Sequence, residues 1–203
     1  MMTASRICFV GDSFINGTGD PEYLGWTGRI VAAACQAGEE ITYYNLGVRR
    51  DTSADILRRW LPEVSHRLPP DCNGKVLFSF GANDITLEKG KTRIDFPDSL
   101  NNAWQILEQA KLLFPVLMVS SPPLGNSEDN LRLAALSNQF EQICCHLSIP
   151  YLDVFTPLQN SPIWTREVAA TDGAHPQSAG YAELADLVKN WVGWTSWINS
   201  RKT

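Results

Sequence analysis

Histidine is scarce in this chain: only His66, His146 and His175 in 203 residues. They are dispersed and give no metal-ligand spacing, so no metal is expected. Cysteine is odd in number. None of Cys8, Cys35, Cys72, Cys144 and Cys145 falls in a zinc-ribbon or redox-pair spacing. Cys144 and Cys145 are adjacent, a poor geometry for a structural disulfide, and Cys8 and Cys35 read as small buried hydrophobes. No apolar run approaches the length of a membrane span, which argues against integral membrane association. The N-terminus lacks the apolar stretch of a secretory signal, and a cytoplasmic location is the expectation. Positive charge is not in excess either. Lys+Arg is 17 against Asp+Glu 22, a formal net charge of -5, which argues against a general nucleic-acid binder. No internal repeat, low-complexity tract or shift of composition marks a boundary. Residues 1–203 therefore read as one domain, with 193–203 as a candidate C-terminal extension.

What is present alternates. Residues 7–10 are a short apolar run ending in Gly11-Asp12-Ser13, a pattern that suits a buried parallel strand followed by a tight turn. Further strands are predicted over 41–46, 75–80, 115–120 and 149–154. Helical spacing of apolar residues predicts helices over 23–37, 54–67, 98–113, 130–147 and 177–192. In the first of these the stripe is Trp26, Ile30, Ala33 and Ala37. Pro62 falls inside the second and predicts a kink or a break. Segments 85–97 and 156–170 have no clear periodicity, apart from a short helix around Arg166. Trp191, Trp194 and Trp197 are three apart and form one helical stripe, either packed on the body or available to a second copy in a homodimer. Five strands alternating with helices mean an α/β fold: a mostly parallel sheet with helices on both faces and right-handed crossovers.

In such a sheet the loops at the carboxyl ends of the strands share one edge, where chemistry is placed. Three strand ends meet there: Gly11-Asp12-Ser13, Asn45-Leu46-Gly47 and Gly81-Ala82-Asn83-Asp84. A serine hydroxyl needs a base to become a nucleophile. Thr171-Asp172-Gly173-Ala174-His175-Pro176 supplies one, with Asp172 three residues away to orient it. The expectation is that Ser13 and His175 meet in space, with His66 and His146 as surface residues. Backbone N–H groups of Ser13 and Gly47 and the side-chain amide of Asn83 would supply the donors that an acyl-transfer oxyanion requires. Read singly, each motif also has a structural explanation: a tight turn, a helix cap, an asparagine tying down backbone. A strand with a glycine-rich turn also describes the phosphate cradle of flavodoxins, but that reading leaves Asp172 and His175 without a role.

Together these blocks resemble the SGNH hydrolases, also called GDSL-like esterases and lipases. The four naming residues would be Ser13, Gly47, Asn83 and His175, and the resemblance spans about residues 5–192. Phe14 stands where the family name has leucine. Arg49 and Arg50 follow the second block, where small residues are common, and would narrow the pocket or meet an acidic group of the substrate. The resemblance implies a three-layer α/β/α sandwich with a flavodoxin-like five-stranded sheet of order 2-1-3-4-5 and no cofactor. It implies a triad of Ser13, Asp172 and His175, an oxyanion hole of Ser13, Gly47 and Asn83, and Asp12 and Asp84 in support. The expected reaction is hydrolysis of a small carboxylic ester, of short acyl chain, through an acyl-enzyme on Ser13. The same triad would serve an acyltransferase or a carbohydrate acetylesterase.

Overall fold

The computed structural model describes residues 4–200; residues 1–3 and 201–203, and with them the last residues of the candidate extension, lie outside the described part. The chain runs β1 (Ser5–Gly11), α1 (Ser13–Asn16), α2 (Gly25–Gln36), β2 (Ile41–Gly47), α3 (Ser53–Arg67), β3 (Asn73–Ser79), β4 (Leu87–Glu88), β5 (Lys91–Thr92), α4 (Phe96–Leu113), β6 (Val116–Val119), α5 (Ser127–His146), β7 (Tyr151–Leu152), α6 (Phe155–Gln159), α7 (Pro162–Ala170), α8 (Ser178–Lys189) and α9 (Val192–Asn199). The main sheet is parallel, in the order β2-β1-β3-β6-β7. With the two-residue strands β4 and β5 set aside, that order is 2-1-3-4-5. Helices α2, α8 and α9 pack together over one face, and α3, α4 and α5 over the other. The result is the three-layer sandwich. Among the described residues, no helix is long and apolar enough to cross a membrane.

Strand β1 explains the layering. Ile7, Cys8, Phe9 and Val10 are all fully buried, because both faces of the strand lie under helices and both edges are paired. Each such apolar side chain contributes about 1.5–3 kcal/mol by leaving water. Phe9 holds one layer together: its ring meets Trp26 of α2, Tyr43 of β2 and Trp194 of α9 at 5.3–6.2 Å between centroids. Trp194 and Trp197 are 1% and 7% exposed. Two of the three tryptophans in the C-terminal stripe are thus core residues, not a surface for a second copy.

Several elements differ from the sequence pattern, each for a local reason. Helix α3 runs through Pro62 without a break. A capping box between Thr52 and Asp55 fixes its start, and Ile56, Trp60 and Val64 anchor its buried face. The last strand shrinks to two residues because Ser120 Oγ accepts from Val154 N (2.8 Å) and Phe155 N (3.2 Å), drawing the chain off the sheet into α6. Segment 156–170 is mostly helical. Ser161 caps α7 by accepting from Trp164 N at 3.1 Å, with Pro162 opening the first turn. Segment 85–97 carries the β4–β5 hairpin, turning at Lys89 and Gly90. Helix α5 starts three residues early because Asn126 caps Glu128 and Asp129. On α2 the buried seam is Trp26, Ile30, Val31 and Ala34. Cys35, one residue past that seam, is exposed rather than buried, whereas Cys8 is buried.

Lys75 is the least expected core residue. It sits in β3 at 0% exposure. Its Nζ donates to the carbonyls of Trp197, Ile198 (3.1 Å) and Ser200 (2.7 Å) and reaches Ser200 Oγ at 3.2 Å. The ammonium thereby caps the carbonyls at the end of α9, where the helix dipole also favours positive charge. Burial pulls its pKa down to about 8, so it is still mostly charged at neutral pH. Lys75→Ala should cost about 3 kcal/mol through the lost hydrogen bonds and the cavity left behind. For a chain of this size that is a fall of about 6–12 °C in melting temperature. Lys75→Met, which fills the space without donating, should recover only part of the loss. Thermal unfolding followed by circular dichroism checks both.

Candidate active site

Strands β1, β2 and β3 end in register, with Gly11 opposite both Gly47 and Ser79. They converge so closely that a Cβ on Gly11 would stand 1.9 Å from the Ser79 carbonyl oxygen, and one on Gly47 would stand 2.2 Å from Asn16 N. Only glycine fits at either position. The chain then turns sharply into α1. Asp12 caps that short helix, its Oδ1 accepting from Phe14 N at 2.9 Å. Ser13 is therefore the first helical residue, above the sheet edge and 5% exposed. Its backbone N–H meets no acceptor among the described residues.

His175 arrives from the other end of the chain, in the loop between α7 and α8. Asp172 organises that loop. Its Oδ1 accepts from Ala174 N (3.1 Å) and His175 N (3.0 Å), and its Oδ2 lies 2.8 Å from His175 Nδ1. The opposite ring nitrogen, Nε2, lies 2.7 Å from Ser13 Oγ. An Nδ1–H facing a carboxylate leaves Nε2 as the lone-pair nitrogen that accepts from the serine. Burial pushes the Asp172 carboxyl up, but the hydrogen bonds from His175 and Ala174 and the charge of a protonated imidazole outweigh it and hold the group at about 2. The orienting carboxylate stays ionised throughout the range in which histidine titrates. Phe14 is buried against the imidazole, ring centroids 5.1 Å apart, and Trp164 lies behind it at 6.3 Å. His66 and His146 are exposed on helices α3 and α5.

The remaining predicted residues surround this core. Gly47 N–H donates to Asn45 Oδ1 at 2.9 Å. Asn83 donates from its amide nitrogen to the Asp51 carbonyl (3.0 Å) and to Asp12 Oδ2 (3.3 Å). Both donors stand at the sheet edge, engaged with protein acceptors. Asp12 is fully buried, and burial lifts its carboxyl to about 7; nearby Asp84 and Asp51 add to the rise, while Phe14 N and Asn83 oppose it. Asp84, likewise raised by burial, accepts from Ser53 N at 2.7 Å and ties the loop after β3 to the start of α3. Arg49 reaches the site: its Nη2 lies 3.5 Å from Asp172 Oδ2. Arg50 turns away to pair with Glu88 of the hairpin at 2.8 Å.

Two supporting residues escaped the sequence reading. Arg59 of α3 donates to the carbonyls of Gly11 (2.9 Å) and Leu46 (3.0 Å) and pairs with Asp51 at 2.6 Å, clamping the ends of β1 and β2. Its signal is faint: a charged residue beside the apolar stripe of an amphipathic helix. Asp20 has a fully buried side chain that pairs with Arg29 and accepts from Ser178 Oγ at 2.9 Å. In the sequence it is one more polar residue in a loop. Among the described residues, no three His, Cys, Asp or Glu side chains gather as a metal-binding group.

This geometry can be set beside known proteins. No curated protein sequence matches the chain. Solved structures do. A lipase/acylhydrolase from Enterococcus faecalis superposes with a TM-score of 0.74 at 24% identity, over 93% of this chain and 95% of that one. An acetylxylan esterase from Geobacillus stearothermophilus gives 0.73 at 16% identity, over 99% and 98%. A lipolytic protein of the G-D-S-L family from Veillonella parvula gives 0.73 at 17%, over 91% and 96%. At these identities the likeness establishes the fold. The sequence itself matches the GDSL-like Lipase/Acylhydrolase family over residues 9–183, a span that runs from β1 into α8 and contains every residue described above as meeting at the site. The chain belongs to the GDSL-like lipase and acylhydrolase family and is a serine hydrolase of the esterase type.

Proposed function

We propose that this esterase removes short acyl groups, acetyl above all, from the hydroxyls of carbohydrates, through an acyl-enzyme on Ser13. The observation that carries the mechanism is the unbroken line from Ser13 Oγ through His175 to Asp172, with contacts of 2.7 and 2.8 Å. Nε2 takes the hydroxyl proton as Oγ attacks the ester carbonyl. The tetrahedral intermediate collapses, and the imidazolium returns that proton to the leaving alcohol. Water then attacks the acyl-serine with the same histidine as base. Asp172, ionised throughout, holds the ring in the productive tautomer and stabilises its charged form.

The oxyanion falls to Ser13 N–H, which has no competing acceptor, together with the Asn83 amide and the Gly47 N–H, the latter once released from or shared with Asn45 Oδ1. Asn83 can serve by trading its longer contact, 3.3 Å to Asp12, for the developing negative charge. A donor that strengthens only as charge develops lowers the barrier without tightening substrate binding. A small acyl group suits a serine and a histidine only 5% and 7% exposed and backed by Phe14 and Trp164. A carbohydrate alcohol is supported by the likeness to the acetylxylan esterase and by a polar rim that includes Arg49.

The direct assay is acetate release from acetylated xylo-oligosaccharides beside release of a long-chain acid from its ester. Turnover of the first should exceed that of the second by at least about tenfold in kcat/KM, and the reverse preference would contradict the proposal. Asp172→Asn keeps an oxygen to accept from Ala174 and His175 N–H, so the fold should hold. The amide cannot keep the ring in its working tautomer, and kcat should drop about 10³–10⁴-fold. Asn83→Ala should act twice. Loss of one oxyanion donor should lower kcat about 10²–10³-fold with KM little changed, and loss of its bonds to Asp51 and Asp12 should lower stability by about 1–3 kcal/mol. Steady-state kinetics with a melting curve for each variant separates the two effects.

A further inference from the structure

Beside the catalytic residues, the loop from Asn16 to Tyr23 and the Arg49 side chain line an open cavity of about 640 Å³ with both polar and apolar walls, a size in the range of small-ligand sites. Two contacts join it to the catalytic histidine and its partner. Arg49 Nη2 lies 3.5 Å from Asp172 Oδ2. Gly19, on the cavity wall, passes so near that a Cβ there would stand 3.1 Å from the His175 Cβ.

Tyr23 lines this cavity and is unusual in two respects. It is 93% exposed, more than any other large apolar side chain described. Its φ is 58°, in the left-handed region that a bulky residue rarely enters. The turn that imposes this conformation is rigid. Asp20 accepts from the backbone N–H groups of Glu22 (3.1 Å), Leu24 (3.2 Å) and Gly25 (2.8 Å), its carbonyl accepts from Tyr23 N at 3.0 Å, and Arg29 and Ser178 hold its carboxylate from the far side. Packing does not account for an aromatic ring pinned in a strained backbone with its faces bare. Strain of this kind concentrates where a side chain must be aimed. Across the cavity, Arg49 is 61% exposed, and its N–H groups other than the one facing Asp172 have no protein acceptor among the described residues. Asn16 and Thr18 add an amide and a hydroxyl.

We propose that Tyr23 and Arg49 form the subsite for the saccharide of the leaving alcohol, the sugar's C–H face lying on the tyrosine ring and its neighbouring hydroxyls meeting Arg49 and Asn16. An apolar face with polar edges is what a pyranose offers, and a bare ring flanked by fixed donors and acceptors matches it. The subsite rests on the carbohydrate-ester reading given above. Its lining, from the loop leading out of α1 and Arg49, shares no residue with Phe14 and Trp164, the rings that back the serine and histidine.

The test compares an acetylated xylo-oligosaccharide with ethyl acetate, whose leaving group is too small to reach Tyr23. For Tyr23→Ala, the ratio of kcat/KM on the saccharide to kcat/KM on ethyl acetate should fall about tenfold or more, mainly through KM. Tyr23→Phe, which keeps the ring, should hold the ratio within about threefold of wild type. Calorimetry with unacetylated xylo-oligosaccharide should show binding to wild type and Tyr23→Phe, and loss of that binding in Tyr23→Ala. A ratio and a binding isotherm unmoved by Tyr23→Ala, in an enzyme that cleaves both esters, would overturn the subsite alone. Wild-type cleavage of ethyl acetate without cleavage of the acetylated saccharide would overturn the carbohydrate reading beneath it.

Discussion

One hydrogen bond, 2.7 Å long, joins Ser13 Oγ to His175 Nε2 across 162 positions of sequence, and much of the fold serves to hold it. On one side the serine is fixed by β1, which is paired at both edges and turned by Asp12 into α1. Arg59 fastens the ends of β1 and β2 from below through two carbonyls. On the other side the histidine is fixed by its position just before α8, and α8 is fastened to the loop that follows the serine: Tyr181 donates to the Thr18 carbonyl at 2.7 Å, and Ser178 donates to Asp20 at 2.9 Å. The two halves of the site are therefore tied to each other outside it as well as within it. That is the preorganisation a reaction needs when an error of about 1 Å can cost about 100-fold in rate.

The surroundings of Ser13 carry a tension. Three carboxylates, Asp12, Asp51 and Asp84, lie close beneath the site, and Asp12 has no access to water. Burying a charge is costly unless it is paired. Asp51 has Arg59, while Asp84 accepts from Ser53 N through one oxygen and its other oxygen is buried without a hydrogen-bond partner among the described residues. Asp12 has only the Phe14 N–H and the Asn83 amide, and its carboxyl rises to about 7. In the reaction proposed above, the Asn83 amide would be wanted in two places, by Asp12 in the resting site and by the oxyanion. The two demands come at different moments of the catalytic cycle, and the long 3.3 Å contact to Asp12 is the weaker of its two bonds.

Legibility in the sequence followed the range of the interactions. The apolar run Ile7–Val10 announces a buried parallel strand because every residue in it needs the same environment. The three strand ends that share an edge follow from parallel pairing alone, so Ser13, Gly47 and Asn83 could be brought together before any coordinates. Asp172 and His175 were legible because three residues of spacing suffice for their contact. Arg59 and Lys75 were not. Their partners are backbone carbonyls far away in sequence, and a carbonyl has no sequence identity. The same holds for Asp20, whose buried carboxylate organises a turn that looks like ordinary loop. The strand expected over 149–154 is only two residues long because the hydroxyl of Ser120, on a neighbouring segment, captures the Val154 and Phe155 amides. Cys35 fell outside the core because it lies off the buried seam of α2, which runs through Trp26, Ile30, Val31 and Ala34.

The central claim is that Ser13, activated by His175, becomes covalently acylated. The most direct measurement is treatment of the protein with a fluorophosphonate, followed by peptide mapping in a mass spectrometer. The account predicts one adduct per chain, on the peptide carrying Ser13, and its disappearance in Ser13→Ala. Labelling that persists in Ser13→Ala, or that maps to another residue of the wild-type protein, would contradict it.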